Sequence, residues 1–152
     1  MNEILKKFNE TFIKGNKFDR HMNMNFKIVD PGHIEYTMKI GEDHVSFGNV
    51  AHGGGISALM DATLGLAALS QTVPEGLLVS TVEFKMNFLR PAHVGDSLKG
   101  IGKVEHNGKS LIIANANIYL NDTDVLVAKG LGTFNKYPME KKGLSNIYEK
   151  ER

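Results

Sequence analysis

The sequence predicts an α+β fold in which one long buried helix lies against about six strands, mostly antiparallel. Three observations carry this. The stretch from Gly53 to Gln71 is apolar nearly all round, which marks a helix without a solvent face. The segments around it alternate apolar and polar residues with a period of two, as half-buried strands do. Asn107-Gly108 stands between two such segments and is the strongest short hairpin signal in the chain.

The elements follow in order. Ile4, Leu5, Phe8 and Phe12, mixed with Lys6, Lys7 and Glu10, predict an amphipathic helix over about residues 2–15. Phe26 to Val29 is a short strand, and Asp30-Pro31-Gly32 turns the chain. From His33 to Ile40, the apolar Ile34, Tyr36, Met38 and Ile40 share one face. The Gly53–Gln71 helix is rich in alanine and leucine, good helix formers. After it, Val82, Phe84, Met86 and Phe88 alternate with Thr81, Glu83, Lys85 and Asn87, until Pro91 ends the strand. Ser97 to His106 and Leu111 to Leu120 flank the Asn107-Gly108 turn. Val125 to Phe134 closes the set. A highly charged tail, 136–152, is expected to be loosely held.

Size and charge narrow the function. With 152 residues the chain fits one domain, its core at about residues 26–135. Hydrophobic residues make up 41%, charged residues 23%, and the formal net charge is +1, so nothing argues for nucleic acid or membrane partners. The longest apolar stretch, Ile56 to Leu69, is too short to span a bilayer and contains Asp61. The N-terminal segment is no signal peptide, and a cytoplasmic protein is expected. The absence of cysteine removes disulfides, thiolate nucleophiles and cysteine zinc sites. The six histidines show no metal-ligand spacing, and no metal or cofactor is expected. No G-x-S-x-G serine elbow is present. Gly53-Gly54-Gly55-Ile56-Ser57-Ala58 matches a dinucleotide fingerprint in form, but the repeating βαβ context it needs is missing.

Chemistry therefore concentrates at His52-Gly53 and Asp61. Gly53 opens a helix, where free N–H groups and the positive dipole end can hold an oxyanion. Without a side chain it admits a substrate close to its backbone. Asp61 is a carboxylate in an apolar helix, which is costly unless compensated. It can activate water or attack directly. Its only polar neighbour at helical spacing is Ser57. Structural readings stand beside these: the glycines as tight packing of helix on sheet, and His52 as a cap or packing residue. Gly53 and Asp61 lie about 12 Å apart along a helix, too far to share one carbonyl. The spacing predicts a two-fold dimer with antiparallel helices and two composite sites.

At these residues the chain resembles the single-domain hotdog-fold acyl-CoA thioesterases of the PaaI-like branch. The likeness rests on His52-Gly53-Gly54, Asp61 nine positions after His52, Phe88-Leu89-Arg90-Pro91-Ala92, Gly95-Asp96, Gly108-Lys109-Ser110, and Ala128-Lys129-Gly130 with Gly132-Thr133-Phe134. It runs in order from about His33 to Phe134. The resemblance implies a homodimer that often pairs into a tetramer, and hydrolysis of an acyl-CoA thioester at the subunit interface. It implies that the Gly53 N–H polarises the thioester carbonyl and that Asp61 of the other subunit is general base or nucleophile. His52 would position the thioester or serve the leaving sulfur, and Thr81 would orient water. Gly54, Asn49 and Ser46 would border the substrate, and Arg90 and Lys109 would meet the CoA phosphates. Ser46 is a departure, because relatives often carry Asn six positions before the histidine. Met60, Leu64 and Phe84 are expected to line the acyl pocket. The rival reading is a hotdog module that binds an acyl ligand without turnover. A hotdog dehydratase or hydratase fits the His52-to-Asp61 spacing less well.

Overall fold

Alternation along the chain builds a six-stranded sheet. In the computed structural model, which describes residues 3–144, the strands are β1 (Met24–Asp30), β2 (His33–Lys39), β3 (Leu77–Phe88), β4 (Ser97–Asn107), β5 (Leu111–Leu120) and β6 (Leu126–Pro138). Their order across the sheet is β1-β2-β4-β5-β6-β3, and every neighbouring pair is antiparallel. Ile34, Tyr36 and Met38 of β2 and Ile112, Ala114, Ala116 and Ile118 of β5 are buried on the inner face. The first and last strands in this order, β1 and β3, are free edges.

The long helix, α3 (Gly53–Thr72), crosses the inner face and touches all six strands. Glycines of the sheet let it come close. A Cβ at Gly102 would stand 2.7 Å from the Thr63 carbonyl oxygen, and one at Gly130 would stand 2.7 Å from Met60 Sδ. Gly53 and Gly55 do not serve this purpose, since added Cβ atoms there would make ordinary contacts of 3.5 Å with the Phe88 ring and 3.6 Å with Met38. Tight packing is a property of the sheet glycines, not of the helix triplet. Nor is α3 buried all round. Ile56, Leu59, Met60, Thr63, Leu64 and Ala67 face the sheet, while Ala58, Asp61, Ala62, Gly65 and Leu69 form a half-exposed stripe. With the 3-10 turn after it, the helical segment Gly53–Glu75 is long and apolar enough to cross a membrane, longer than the Ile56–Leu69 stretch suggests, yet most of it is covered by its own sheet.

Two strands carry detail that alternation alone does not convey. The β3–β6 register shifts between Thr81 and Glu83, so Val82 is an extra residue. Thr81 pairs with the buried Phe134 and turns to the helix side, and Val82 is left 59% exposed. The hairpin at Asn107 forms, but with Gly108, Lys109 and Ser110 in its loop. The Gly108 N–H donates to Leu111 O at 2.9 Å, which puts Lys109 and Ser110, not Asn107 and Gly108, at the tip.

The N-terminal helix α1 (Glu3–Gly15) repeats apolar residues at Ile4, Phe8 and Phe12, four apart. Ile4, Leu5 and Phe8 pack with Val73, Leu78 and Met139 into a second, smaller cluster at the end of α3. Met139 is 2% exposed, so the tail is anchored at least that far. β6 runs to Pro138 and a 3-10 turn spans Met139–Lys142. The expectation of a loose tail is thus corrected for 136–144, and the remainder, 145–152, lies outside the described residues.

Sequence periodicity gave no sign of α2 (Lys17–His21), which is only five residues long. Its cap is local: the Asn16 side chain accepts from the Asp19 N–H at 3.1 Å. Asp19 is buried and accepts from the buried Tyr36 hydroxyl, which ties α2 to β2. Burial pushes the Asp19 carboxyl above its usual 3.8, against the hydrogen bonds from Tyr36 and Asn16. Burial first, then the bond to Asp19, pushes the Tyr36 phenol above its usual 10.0. For Asp19 a raised value means that its contribution to stability is complete below 3.8 and is lost as pH rises through the raised value. Tyr36→Phe leaves Asp19 without its strongest donor, a loss of about 2–4 kcal/mol once the carboxylate is charged. Urea unfolding should show the full loss at pH 7 and a smaller one toward pH 4. Equal losses at both pH values would show that Asp19 is not the cause.

Candidate active site

The start of α3 is built by a short loop held at both ends. Val45 bridges to Ala51 and Val50 to His93. The Ala51 N–H donates to Ala92 O at 2.8 Å, and the His52 N–H to His44 O at 2.7 Å. His52 is then extended, with φ −64° and ψ 134°, and caps the helix: its Nδ1 accepts from the Gly54 N–H at 2.8 Å. Its carbonyl accepts from the Gly55 N–H at 2.9 Å. Capping therefore satisfies the second and third donors of the helix and leaves the first. Among the described residues the Gly53 N–H has no partner. Because Nδ1 accepts, the proton of a neutral His52 is assigned to Nε2, which is left as a donor. The structural reading of His52 as a cap holds, and the cap is what singles out Gly53.

Asp61 lies two turns further on, in the half-exposed stripe. The Thr81 hydroxyl donates to its Oδ1 at 3.0 Å. The Val82 bulge makes this possible by turning Thr81 inward. Ser57, the one polar neighbour of Asp61 at helical spacing, donates instead to Gly53 O at 2.8 Å. The second carboxylate oxygen of Asp61 has no partner among the described residues.

Two clefts follow the open stripe of α3. One, of about 360 Å³, contains His52 with Gly54, Ala58, His44 and His21. The other, of about 210 Å³, contains Asp61 and Thr81, with Ala62, Gly65 and Leu69 along α3 and Phe12 from α1. Within one chain His52 and Asp61 thus occupy separate cavities, as the spacing along the helix requires. The expected acyl-pocket residues Met60 and Leu64 line neither. Both are fully buried beneath β6, where Cβ atoms at Gly130 and Gly132 would meet them. A carboxylate at Asp61 faces open space, so residues at the same helical angle border its cleft, and Met60 and Leu64 point the other way. Phe84 is half-buried on the helix side of β3, outside the Asp61 cleft. Among the described residues no three His, Asp or Glu side chains are grouped to hold a metal ion.

The remaining candidates divide between the two ends. Ser46 and Asn49 are exposed in the loop before His52. Their backbones are used, Ser46 N–H donating to Val50 O at 2.9 Å and Asn49 O accepting from Val94 at 3.3 Å. Arg90 follows the end of β3, near Gly53, and its Nη1 donates to Leu126 O at 2.8 Å. Lys109 is exposed in the β4–β5 loop at the opposite end. There Leu111 pairs with Asn135, which pairs with Ser80 beside Thr81. One chain therefore keeps Arg90 with Gly53 and Lys109 with Asp61. Sequence reasoning did not find Phe12, Tyr36 or Val79, which also border the Asp61 cleft. Only the apolar stripe of α1 hinted at Phe12, without saying where it docks.

Known proteins share the sequence pattern and the fold. The family model described as the thioesterase superfamily matches residues 48–127. A protein of Saccharolobus solfataricus that carries an esterase name is 31% identical over 135 residues, covering 88% of this chain and 93% of that one. Human acyl-coenzyme A thioesterase 13 is 24% identical over 136 residues, covering 88% and 94%. Among solved structures, the PaaI protein of the E. coli phenylacetic acid degradation operon superposes with a TM-score of 0.80. It is 22% identical, with 88% of this chain and 94% of that chain covered.

Proposed function

The chain belongs to the thioesterase superfamily, with the hotdog fold of its PaaI-like members, and from that premise we propose that it hydrolyses an acyl-CoA thioester at a site completed by a second copy of itself. One observation carries this most. A free Gly53 N–H and a Thr81-supported Asp61 lie on one open face of one helix, about 12 Å apart, so neither half can act on a carbonyl with the other from the same chain.

The free edge of β3 suggests how two copies meet. Phe88 stands beside Gly53 and Thr81 beside Asp61. If two β3 strands pair antiparallel with Phe88 opposite Thr81 of the partner subunit and Val82 bulged out in each, the two-fold axis falls at Lys85. That register brings Gly53 of each copy to Asp61 of the partner subunit. It also carries Arg90 toward Lys109 of the partner subunit, two cations for the CoA phosphates. Val82, Phe88 and Leu89, which are 59%, 53% and 47% exposed, lie along or just past this edge and would gain cover.

The chemistry follows from the groups. The Gly53 N–H polarises the thioester carbonyl and holds the charge that develops on its oxygen. Thr81 occupies one oxygen of Asp61, and the other takes a proton from water as the water oxygen bonds to the carbonyl carbon. Collapse of that adduct breaks the carbon–sulfur bond. The sulfur leaves as coenzyme A with the proton that Asp61 took from water, and the His52 Nε2–H is a hydrogen-bond donor for the departing sulfur within the composite site. The products are coenzyme A and a carboxylic acid, and no metal or cofactor enters. The name of the human relative, an acyl-coenzyme A thioesterase, supports this substrate class.

Thiol release from phenylacetyl-, benzoyl-, short-chain and medium-chain acyl-CoA tests the proposal. The chain has no cysteine, so a thiol-reactive dye sees only product. Release from at least one class is expected. No release across the panel, with a ligand-dependent rise in Tm, would favour a binding module instead.

A further inference from the structure

The cleft beside Asp61 is a partly open groove with a polar and an apolar part. Asp61, Ser80 and Thr81 mark the polar part, and Leu69, Val79 and Phe12 border it further along. Ala62 and Gly65, small residues on the same stripe of α3, leave the space between them open. On its other side Phe12 packs against the second core cluster, which includes Phe8, Val73 and Leu78.

Phe12 is not a loose plug. Its ring stacks on Phe8 at 5.5 Å, meets Phe26 edge-on at 5.8 Å, and Phe26 meets Tyr36 at 5.3 Å. This row of rings ties α1 to β1 and β2, and Tyr36 is fixed in turn by Asp19 of α2. A stop held on several sides resists being pushed aside by a longer ligand.

We propose that Phe12 of the N-terminal helix ends the acyl site and sets the longest acyl group the chain accepts. This rests on the thioesterase reading and adds to it a substrate limit. With the thioester at Asp61, the hydrocarbon points along α3 toward Phe12. The cleft holds about 210 Å³, and since a dry cavity of about 150 Å³ accepts benzene, it takes one ring with a short spacer or a chain of roughly six to eight carbons. Long fatty acyl groups are excluded by the ring of Phe12 and not by charge.

The test is kcat/KM across saturated acyl-CoAs from two to sixteen carbons, with phenylacetyl-CoA. Wild type, Phe12→Ala, Phe12→Leu and Phe12→Trp are compared, with Ile13→Ala, an exposed neighbour on the same helix, as the control. Wild type should peak at or below about eight carbons. Phe12→Ala and Phe12→Leu should raise the dodecanoyl-to-hexanoyl ratio by about tenfold or more, and Phe12→Trp should shift the ratio toward acetyl. The opposed direction of the tryptophan variant keeps the test sharp if truncation harms folding. A wild-type peak at sixteen carbons, or one profile shared by every Phe12 variant, overturns the proposal while leaving hydrolysis intact. No hydrolysis of any acyl-CoA by wild type removes instead the thioesterase reading beneath it.

Discussion

Asp61→Asn should lower kcat for thioester hydrolysis by about a thousandfold or more while leaving the fold unchanged. Asn keeps the shape of Asp and still accepts the Thr81 hydroxyl through Oδ1, so the 3.0 Å contact survives. What is lost is the charge and basicity of the second oxygen, the one with no partner among the described residues. The residue lies in the half-exposed stripe of α3, so exchange of one amide for one carboxylate should move unfolding free energy by no more than about 0.5 kcal/mol. Steady-state thiol release and a thermal melt on the same samples check both halves. KM should change little, because the carboxylate acts in the transition state rather than in holding the substrate. A variant that kept a tenth of wild-type turnover would remove Asp61 from the chemistry, even though family membership would stand.

The strands and α3 are legible in the sequence because each is decided by one local rule. Alternation places Ile34, Tyr36 and Met38 inward, and a long apolar run without a polar face marks a helix laid against the core. His52, Gly53 and Asp61 are legible for a related reason. An ionisable side chain in an apolar helix and a glycine at its start have few structural uses. Features set by contacts distant in sequence are not legible. The Val82 bulge is one residue of register shift, and alternation alone assigns Val82, not Thr81, to the helix side. α2 is too short to show a period and is held by Asp19 on Tyr36, a contact across seventeen residues. The cleft lining fails similarly. Met60 and Leu64 share the apolar character of Leu69, and only the rotation of α3 against the sheet glycines tells which side each faces.

That rotation also explains why α3 reads as fully apolar while one stripe is open. Its side chains answer to two surroundings, the sheet on one side and a groove on the other. The groove residues are small or apolar without being packed in this chain. Gly65 and Ala62 stand in line with Asp61 on this open side, where larger side chains would fill the cleft. The N-terminal helices then act on the groove from outside the matched family region: α1 contributes Phe12, and α2 holds Tyr36 in place. On the proposed reading, residues that shape the acyl site are thus separated in sequence from those that carry the reaction.

Gly53→Pro should abolish activity almost as completely as Asp61→Asn, by about a hundred- to thousandfold in kcat, through loss of a single backbone N–H. The substitution is unusually mild for the fold. Proline is favoured at the first position of a helix, where the N–H makes no intrahelical bond. It also requires an extended residue before it, and His52 already has φ −64° and ψ 134°. A Cβ at Gly53 makes only ordinary contact, its nearest atom being Phe88 Cζ at 3.5 Å. Melting temperature should therefore hold while hydrolysis fails. Two inactive proteins then test the shared site. If each site takes Gly53 from one copy and Asp61 from the partner subunit, a mixed dimer of Gly53→Pro and Asp61→Asn has one site with both groups intact and one with neither. Co-expressed in equal amounts with random pairing, the two variants should recover about a quarter of wild-type activity, and purified heterodimer about half. Sites built within single chains would give no recovery at any mixing ratio, because every site would carry one lesion. The heterodimer measurement therefore separates a composite site from a self-contained one without reference to which acyl group is used.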